Sequence, residues 1–257
     1  MKRKRKLLYG LCLLLLAGAG FTGFQLYKEL MPRFLAEQLY EQVRNAALPQ
    51  GAGPGGEVNQ SVTARARPDF AVLNAWNPDI VGWIWGPGTD IDYPVVQGAD
   101  NDYYLYRTAD GARSVIGSIF MESKNQRDFS DDLTVLYGHH IRGGRMFSAL
   151  SGFKKEGYYK EHPYMILYTP EQDYRVELFA GQVLNGRTGT FPLIFGEPEA
   201  RTVWLEELLS SSTFRSPVTL AEGERILVLC TCSYEYQDAR YAVYGVLRDL
   251  EEDDDQK

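Results

Sequence analysis

The amino-acid sequence predicts a mainly β body, a barrel or a sandwich with a few short helices, preceded by a transmembrane helix and a helical stalk. Three observations carry that prediction. Between Val81 and Arg248, eight short apolar segments alternate with Gly, Pro, Asp and Asn punctuation. The 17 Tyr and 12 Phe suit half-buried pleated surfaces. Ahead of the body, Leu7 to Leu26 is an uncharged run that spans about 30 Å as a helix, the hydrocarbon thickness of a bilayer.

In chain order, the basic cluster Lys2, Arg3, Lys4, Arg5 and Lys6 comes first, which keeps the N-terminus cytoplasmic and the body outside the cell membrane. Ala17-Gly18-Ala19 also resembles a signal-peptide cleavage site. The apolar run nevertheless continues through Phe21, Phe24 and Leu26, which favours an uncleaved single-pass anchor over residues 1–29. From Leu30 to Leu48, apolar residues Phe34, Leu35, Leu39, Val43 and Ala47 recur at helical steps. Pro49 to Gly56 (PQGAGPGG) then breaks the pattern, so 30–63 reads as stalk and linker and 64–250 as the body. The closing run Glu251-Glu252-Asp253-Asp254-Asp255 makes 251–257 an acidic, disordered tail.

Within the body the predicted strands are Val81–Trp85, Ile91–Gln97, Ser114–Met121, Leu133–Tyr137, Tyr164–Thr169, Tyr174–Leu184, Arg225–Cys232 and Arg240–Arg248. Glu199–Leu209 places Val203, Leu205, Leu208 and Leu209 in helical spacing between the sixth and seventh strands. A second short helix is predicted over Arg145–Leu150.

Charge narrows the partners. The net charge is −7, and without the five N-terminal cations 22 basic residues face 34 acidic ones, a net of −12. So acidic a body excludes nucleic acid, which requires positive surface to exchange for counterions. Cys12 sits in the apolar run as a small hydrophobe. Outside that run only Cys230 and Cys232 remain, separated by one residue and too close for an unstrained disulfide.

Those two thiols lie in the most informative stretch, RILVLCTCSYEYQDARYAVYGVLR, Arg225 to Arg248. Ile226, Val228, Cys230 and Cys232 alternate onto one face of a strand. Ser233 to Ala239 turn the chain into a second alternating strand at Arg240. If the two pair in simple register, Cys232 lies opposite Arg240, although a loop of that length leaves the register open. A guanidinium there favours the thiolate and can bond the oxyanion formed when sulfur attacks a carbonyl. Without such a partner, a cysteine is usually a core thiol.

The His residues are His139, His140 and His162. His162 precedes Pro163 in a Lys/Glu-rich loop and reads as structural. His139 and His140 follow the strand Leu133–Tyr137 on a turn opened by Gly138, where a scaffold presents catalytic groups. Adjacent His residues share a zinc ion poorly, and no carboxylate at ligand spacing accompanies them. A Cys–His couple is the more economical reading. Neither composition nor motif asks for a metal or organic cofactor.

These motifs resemble those of the sortase family. VLCTC, ending at Cys232, is similar to the signature TLxTC, whose last Cys is the nucleophile, with Val228 in place of the first Thr. Arg240 falls where sortases carry their essential Arg, and LYGHH matches the histidine motif, with His139 in the catalytic position. Between Asn77 and Leu247, DIVGWIWGPGTDIDYPVVQGADNDYYL, GSIFME, YGHHIRGGRMFSAL and HPYMILYT look like class B sortases. The resemblance implies a closed eight-stranded sortase-type β-barrel and a cysteine transpeptidase outside the membrane. Such an enzyme cleaves a C-terminal sorting signal of a secreted protein at a Thr bond, often after an Asn-Pro start in class B. It then transfers the acyl group to an amine of cell-wall precursor or a pilin subunit. In these terms Cys232 attacks, His139 is acid and then base, and Arg240 holds the oxyanion. The rival readings are an L,D-transpeptidase, an inactive binding domain and a plain endopeptidase. The first of these places its Cys in a Ser-His-Gly-Cys-like context, absent here.

Overall fold

The computed structural model describes residues 2–48, 66–141, 144–155, 157–186, 189, 191–232 and 238–250; the side chains at 2–8, 11, 13 and 29 are outside that description. The predicted linker 49–63 and acidic tail 251–257 also fall outside it.

Eight strands close into a barrel in the order β1, β2, β3, β4, β9, β10, β8, β7. They are β1 (Ile80–Trp85), β2 (Asp92–Val96), β3 (Ile119–Met121), β4 (Leu133–Tyr137), β7 (Tyr164–Tyr168), β8 (Asp173–Asn185), β9 (Ile226–Cys232) and β10 (Ala239–Asp249). Closure removes the sheet edges and decides between the barrel and the sandwich. All neighbours pair antiparallel except β2 with β3 and β4 with β9. The β4–β9 pair sets Leu133 beside Ile226 and Tyr137 beside Cys230, so the ends of the His-bearing and Cys-bearing segments meet.

Each predicted strand has a counterpart, with one substantial correction. The segment Ser114–Met121 is a strand only over its last three residues, because Gly117 adopts φ +63° and turns the chain. The predicted helix at Arg145–Leu150 is also shifted. Arg145–Met146 (β6) pairs with His140–Ile141 (β5) in a separate two-stranded ribbon, and a 3₁₀ helix follows at Phe147–Lys154. The sequence reading missed that ribbon and two short helices, α2 (Phe70–Trp76) and α3 (Tyr158–Glu161). The predicted Glu199–Leu209 helix is α4 (Pro198–Ser210), lying between β8 and β9 and opened by Pro198 in its first turn.

At the N-terminus one helix, α1 (Lys2–Ala47), replaces the predicted pair of helices. Its C-terminal part docks on the barrel: Ala36, Tyr40, Val43 and Ala47 are buried in the main core. Tyr40 donates its hydroxyl to the Gly117 carbonyl (2.9 Å), and Arg44 pairs with Asp92. Leu14, Leu15, Leu16, Phe21, Phe24 and Leu26 are exposed. Among the described residues no helix is long and apolar enough to cross a membrane, so the predicted span Leu7–Leu26 is not recovered there; positions 7, 8, 11 and 13 of that run lack described side chains.

The core has two parts. Leu227, Leu229, Tyr241 and Val243 pack into the larger one with Trp83, Phe120 and Phe147. Ile226, Val228, Cys230, Ala242 and Tyr244 pack into the smaller one, against Phe191, Phe195, Trp204 and Leu205 of the β8–α4 segment. Both faces of β9 are thereby buried, which explains its unbroken apolar composition.

Candidate active site

Six consecutive residues of β9 are buried, and the seventh, Cys232, is exposed. The strand delivers its terminal thiol to solvent from a rigid base. On the neighbouring strand Arg240 is the register partner of Cys232, with Leu184 of β8 on its other side. The Arg240 guanidinium lies 6.0 Å from the Tyr137 ring centroid, and its charge acts on the Cys230 thiol. Burial pushes the Cys230 thiol up to about 12, and the Arg240 charge only partly opposes this. Cys230 is therefore a neutral thiol beneath the exposed one.

The imidazole of His139 reaches the same place from β4. Gly138 N–H donates to the Cys230 carbonyl (3.0 Å), which extends the β4–β9 ladder by one rung. A side chain at Gly138 would meet Ile119 and Phe147 at 2.5 and 2.7 Å, so the turn that launches His139 is closely packed. His139 Nε2–H donates to the Leu105 carbonyl (2.7 Å), within the 3₁₀ turn Tyr104–Tyr106. In the neutral ring this leaves Nδ1 with the lone pair, available for proton exchange. Gly117 backs the ring: a Cβ there would lie 2.5 Å from the Leu105 oxygen and 2.9 Å from His139 Cδ2.

A cleft of about 200 Å3 collects these groups. It is lined by His139, Cys232 and Arg240 together with Leu105, Tyr137 and Thr231, among others. Thr231 is buried, and its hydroxyl has no hydrogen-bond partner among the described residues. Beneath the cleft, Glu122 accepts from Asn101 Nδ2 (2.8 Å) and from the Tyr137 hydroxyl (3.2 Å). Burial, more than the nearby Glu122 charge, raises the Tyr137 pKa, so the phenol stays a donor. A second cleft, about 250 Å3 between α1 and the barrel, holds Glu37, Arg44 and Asp90 but none of the three predicted site residues.

All three predicted residues thus line one cleft. The other two His residues lie elsewhere. His162 Nδ1 is 3.1 Å from the Pro87 carbonyl, consistent with a structural role. His140 Nδ1 is 3.1 Å from Ser151 Oγ. Sequence reasoning did not single out Asn101, Leu105, Phe120 or Tyr137; the first two lie between β2 and β3 outside any predicted strand, and the other two lie on β3 and β4, whose neighbours in the barrel no local pattern names. Among the described residues no group of three or more His, Cys, Asp or Glu is placed to hold a metal ion.

A strand-end cysteine opposite an arginine, with a histidine from a parallel neighbour, can support acyl transfer through sulfur. The comparisons agree. The Sortase domain family model matches residues 86–248. The chain belongs to the sortase family, and within it to class B. It is 31% identical over 191 residues to sortase B of Listeria monocytogenes, covering 73% of this chain and 77% of that one. It is likewise 31% identical over 182 residues to sortase B of Staphylococcus aureus, covering 71% and 75%. Among solved structures, sortase B from B. anthracis in complex with AAEK1 superposes with a TM-score of 0.73 at 29% identity, covering 86% of this chain and 100% of that one. Clostridium perfringens sortase B gives 0.66 at 34% identity, covering 70% and 100%. The class B membership and closed barrel expected from the motifs hold, and the L,D-transpeptidase reading falls away. This sortase is accordingly a cysteine transpeptidase of the class B type.

Proposed function

We propose that this sortase is a single-pass membrane enzyme that cleaves a C-terminal sorting signal at a Thr bond and passes the protein to an amine of cell-wall precursor or a pilin subunit. The observation that carries the reading is the shared cleft of Cys232, His139 and Arg240 at the end of β9. In the first half-reaction the Cys232 thiol proton passes to His139, Sγ bonds the Thr carbonyl carbon, the C–N bond breaks, and His139 gives that proton to the leaving amine. Arg240 donates to the oxygen that carries the negative charge. In the second half-reaction the acceptor nitrogen attacks the thioester, His139 takes its proton, and sulfur departs. The Lys2–Lys6 cluster and the exposed leucines and phenylalanines of α1 support an N-terminal anchor with a cytoplasmic end and an extracellular barrel.

The test is incubation of the full chain in detergent with peptides carrying Asn-Pro or Leu-Pro sorting signals, with and without a glycine-peptide amine. Mass spectrometry should find a thioester adduct on Cys232 and, with the amine, a ligated product. Hydrolysis that ignores the amine would make the protein an endopeptidase. Absence of any adduct across the panel would leave a binding domain.

A further inference from the structure

The stalk helix α1 reaches the neighbourhood of the cleft through one hydroxyl. Tyr40 is buried against the barrel, its ring packed edge-on against Tyr93 of β2 at a centroid distance of 5.3 Å. Burial raises its pKa, so the phenol stays a donor, and it donates to the Gly117 carbonyl 77 residues along the chain (2.9 Å). Adjacent turns of α1 hold this residue in place. One turn before it, Glu37 pairs with Arg145 (2.6 Å). One turn after it, Arg44 pairs with Asp92 (2.8 Å), which also accepts from Trp83 Nε1 (2.7 Å).

Gly117 in turn is the wall behind His139. An added Cβ there would lie 2.9 Å from His139 Cδ2 and 2.5 Å from the Leu105 oxygen, the acceptor of His139 Nε2–H. The next residue ties the same wall to the Tyr104–Tyr106 turn. Ser118 N–H donates to the Tyr104 carbonyl (3.1 Å), and Ser118 Oγ donates to the Arg107 carbonyl (2.8 Å). Two supports of the imidazole, one at its Cδ2 edge and one at Nε2, therefore belong to a single backbone unit. Tyr40 grips that unit from outside the barrel.

Resting on the reading of His139 as acid and base, we propose that Tyr40 is a positioning residue, whose hydroxyl fixes the Gly117 carbonyl and thereby the seat of the His139 imidazole. A proton-transfer group works only when its support holds it close to the productive geometry. Here part of that support comes from the stalk, so α1 belongs to the frame of the active site as well as to the core.

The experiment compares the full chain in detergent with Tyr40→Phe and Val43→Ala. Tyr40→Phe keeps the ring that packs on Tyr93 and removes only the hydroxyl. Val43 is buried on the same docked face, so Val43→Ala weakens docking while leaving the phenol in place. The readouts are Tm, kcat and KM with a cleaved sorting-signal peptide, and the NMR signals of the isotope-labelled ring Cε1 of His139, His140 and His162. Losing this hydrogen bond predicts about a five- to tenfold fall in kcat for Tyr40→Phe, with KM held within about twofold. The His139 signal should move in that variant, and the His162 signal should not. Val43→Ala should lower Tm comparably, yet keep kcat within about twofold of wild type and leave the His139 signal in place. An unmoved His139 signal or an unmoved kcat in Tyr40→Phe would overturn the proposal, as would equal kcat losses in the two variants. The His139 signal reads positioning without turnover, so a wild-type chain that cleaves no peptide counts against the transpeptidase reading alone.

Discussion

Cys232 and Arg240 face each other across the β9–β10 ladder, the thiol exposed and the guanidinium half-buried against Tyr137 and Cys230. Cross-strand partners hold their Cβ atoms about 5 Å apart, so backbone hydrogen bonds keep the two side chains rooted side by side. An oxyanion-binding group is useful only if it needs no reorganisation during the reaction.

Arg240→Ala should therefore lower kcat by about 10²–10³-fold while leaving Tm near the wild-type value. Arg240→Lys should recover little, because a flexible ammonium does not reproduce the planar, multidentate fork of the guanidinium. Steady-state kinetics with a sorting-signal peptide checks both. A lysine variant of near-normal rate would show that charge alone suffices.

The two barrel thiols should separate chemically. At pH 8, roughly the range where thiols begin to ionise, a thiol reagent should modify exposed Cys232 in the native chain and spare buried Cys230 until the protein is denatured. Cys232→Ala should abolish turnover, whereas Cys230→Ala should keep most of it. Equal losses in the two variants would contradict that assignment.

Cys230 also predicts a pH dependence of stability. Its folded pKa is raised from 9.0 to about 12, so the unfolded chain releases this proton first as pH rises. The contribution is fully present below pH 9.0 and is lost progressively from there towards 12. The buried tyrosines Tyr40, Tyr137 and Tyr244 act in the same direction but only from their ordinary value of 10.0 upwards. Urea titrations between pH 9 and 10 should show wild-type stability falling more steeply than that of Cys230→Ala; parallel slopes would argue against a buried neutral thiol.

Gly117→Ala should reduce activity by more than its cost to folding explains. The residue sits at φ +63°, and a Cβ would press on the Leu105 carbonyl and on His139 Cδ2. Left-handed strain alone costs about 1–2 kcal/mol, which Tm or urea unfolding will register. Displacement of the His139 ring should add at least a tenfold fall in kcat, about 1.4 kcal/mol in the barrier. A variant that loses stability but not kcat would mean that the ring does not depend on this backing.

Docking of the stalk can be tested at Tyr40. Its buried hydroxyl bonds the Gly117 carbonyl and approaches Ser118 Oγ (3.3 Å). Tyr40→Phe leaves that carbonyl without the phenol and should cost about 1–3 kcal/mol in chemical denaturation. No loss would indicate that α1 contributes little to the stability of the barrel.

Much of this protein could be read from local pattern. Short apolar segments bounded by Gly, Pro, Asp and Asn marked seven of the eight strands closely, and strand alternation put Cys230 and Cys232 on one face, because successive side chains in a strand must point to opposite sides. The helical spacing in Glu199–Leu209 marked α4 for the equivalent reason. What tertiary structure alone decided is non-local. The β9–β10 register follows from the whole ladder rather than from the loop, since seven connecting residues allow several pairings. The meeting of His139 with Cys232 depends on parallel pairing of β4 with β9, strands separated by a crossover whose length encodes no partner. β3 shrank to three residues because one glycine turned the chain where β propensity favoured extension. The stalk became part of the core because Ala36, Tyr40, Val43 and Ala47 found an apolar surface that exists only once the barrel is closed. Side-chain period is a property of neighbouring residues, whereas pairing and docking depend on surfaces assembled from distant ones, and the cleft is made of the latter.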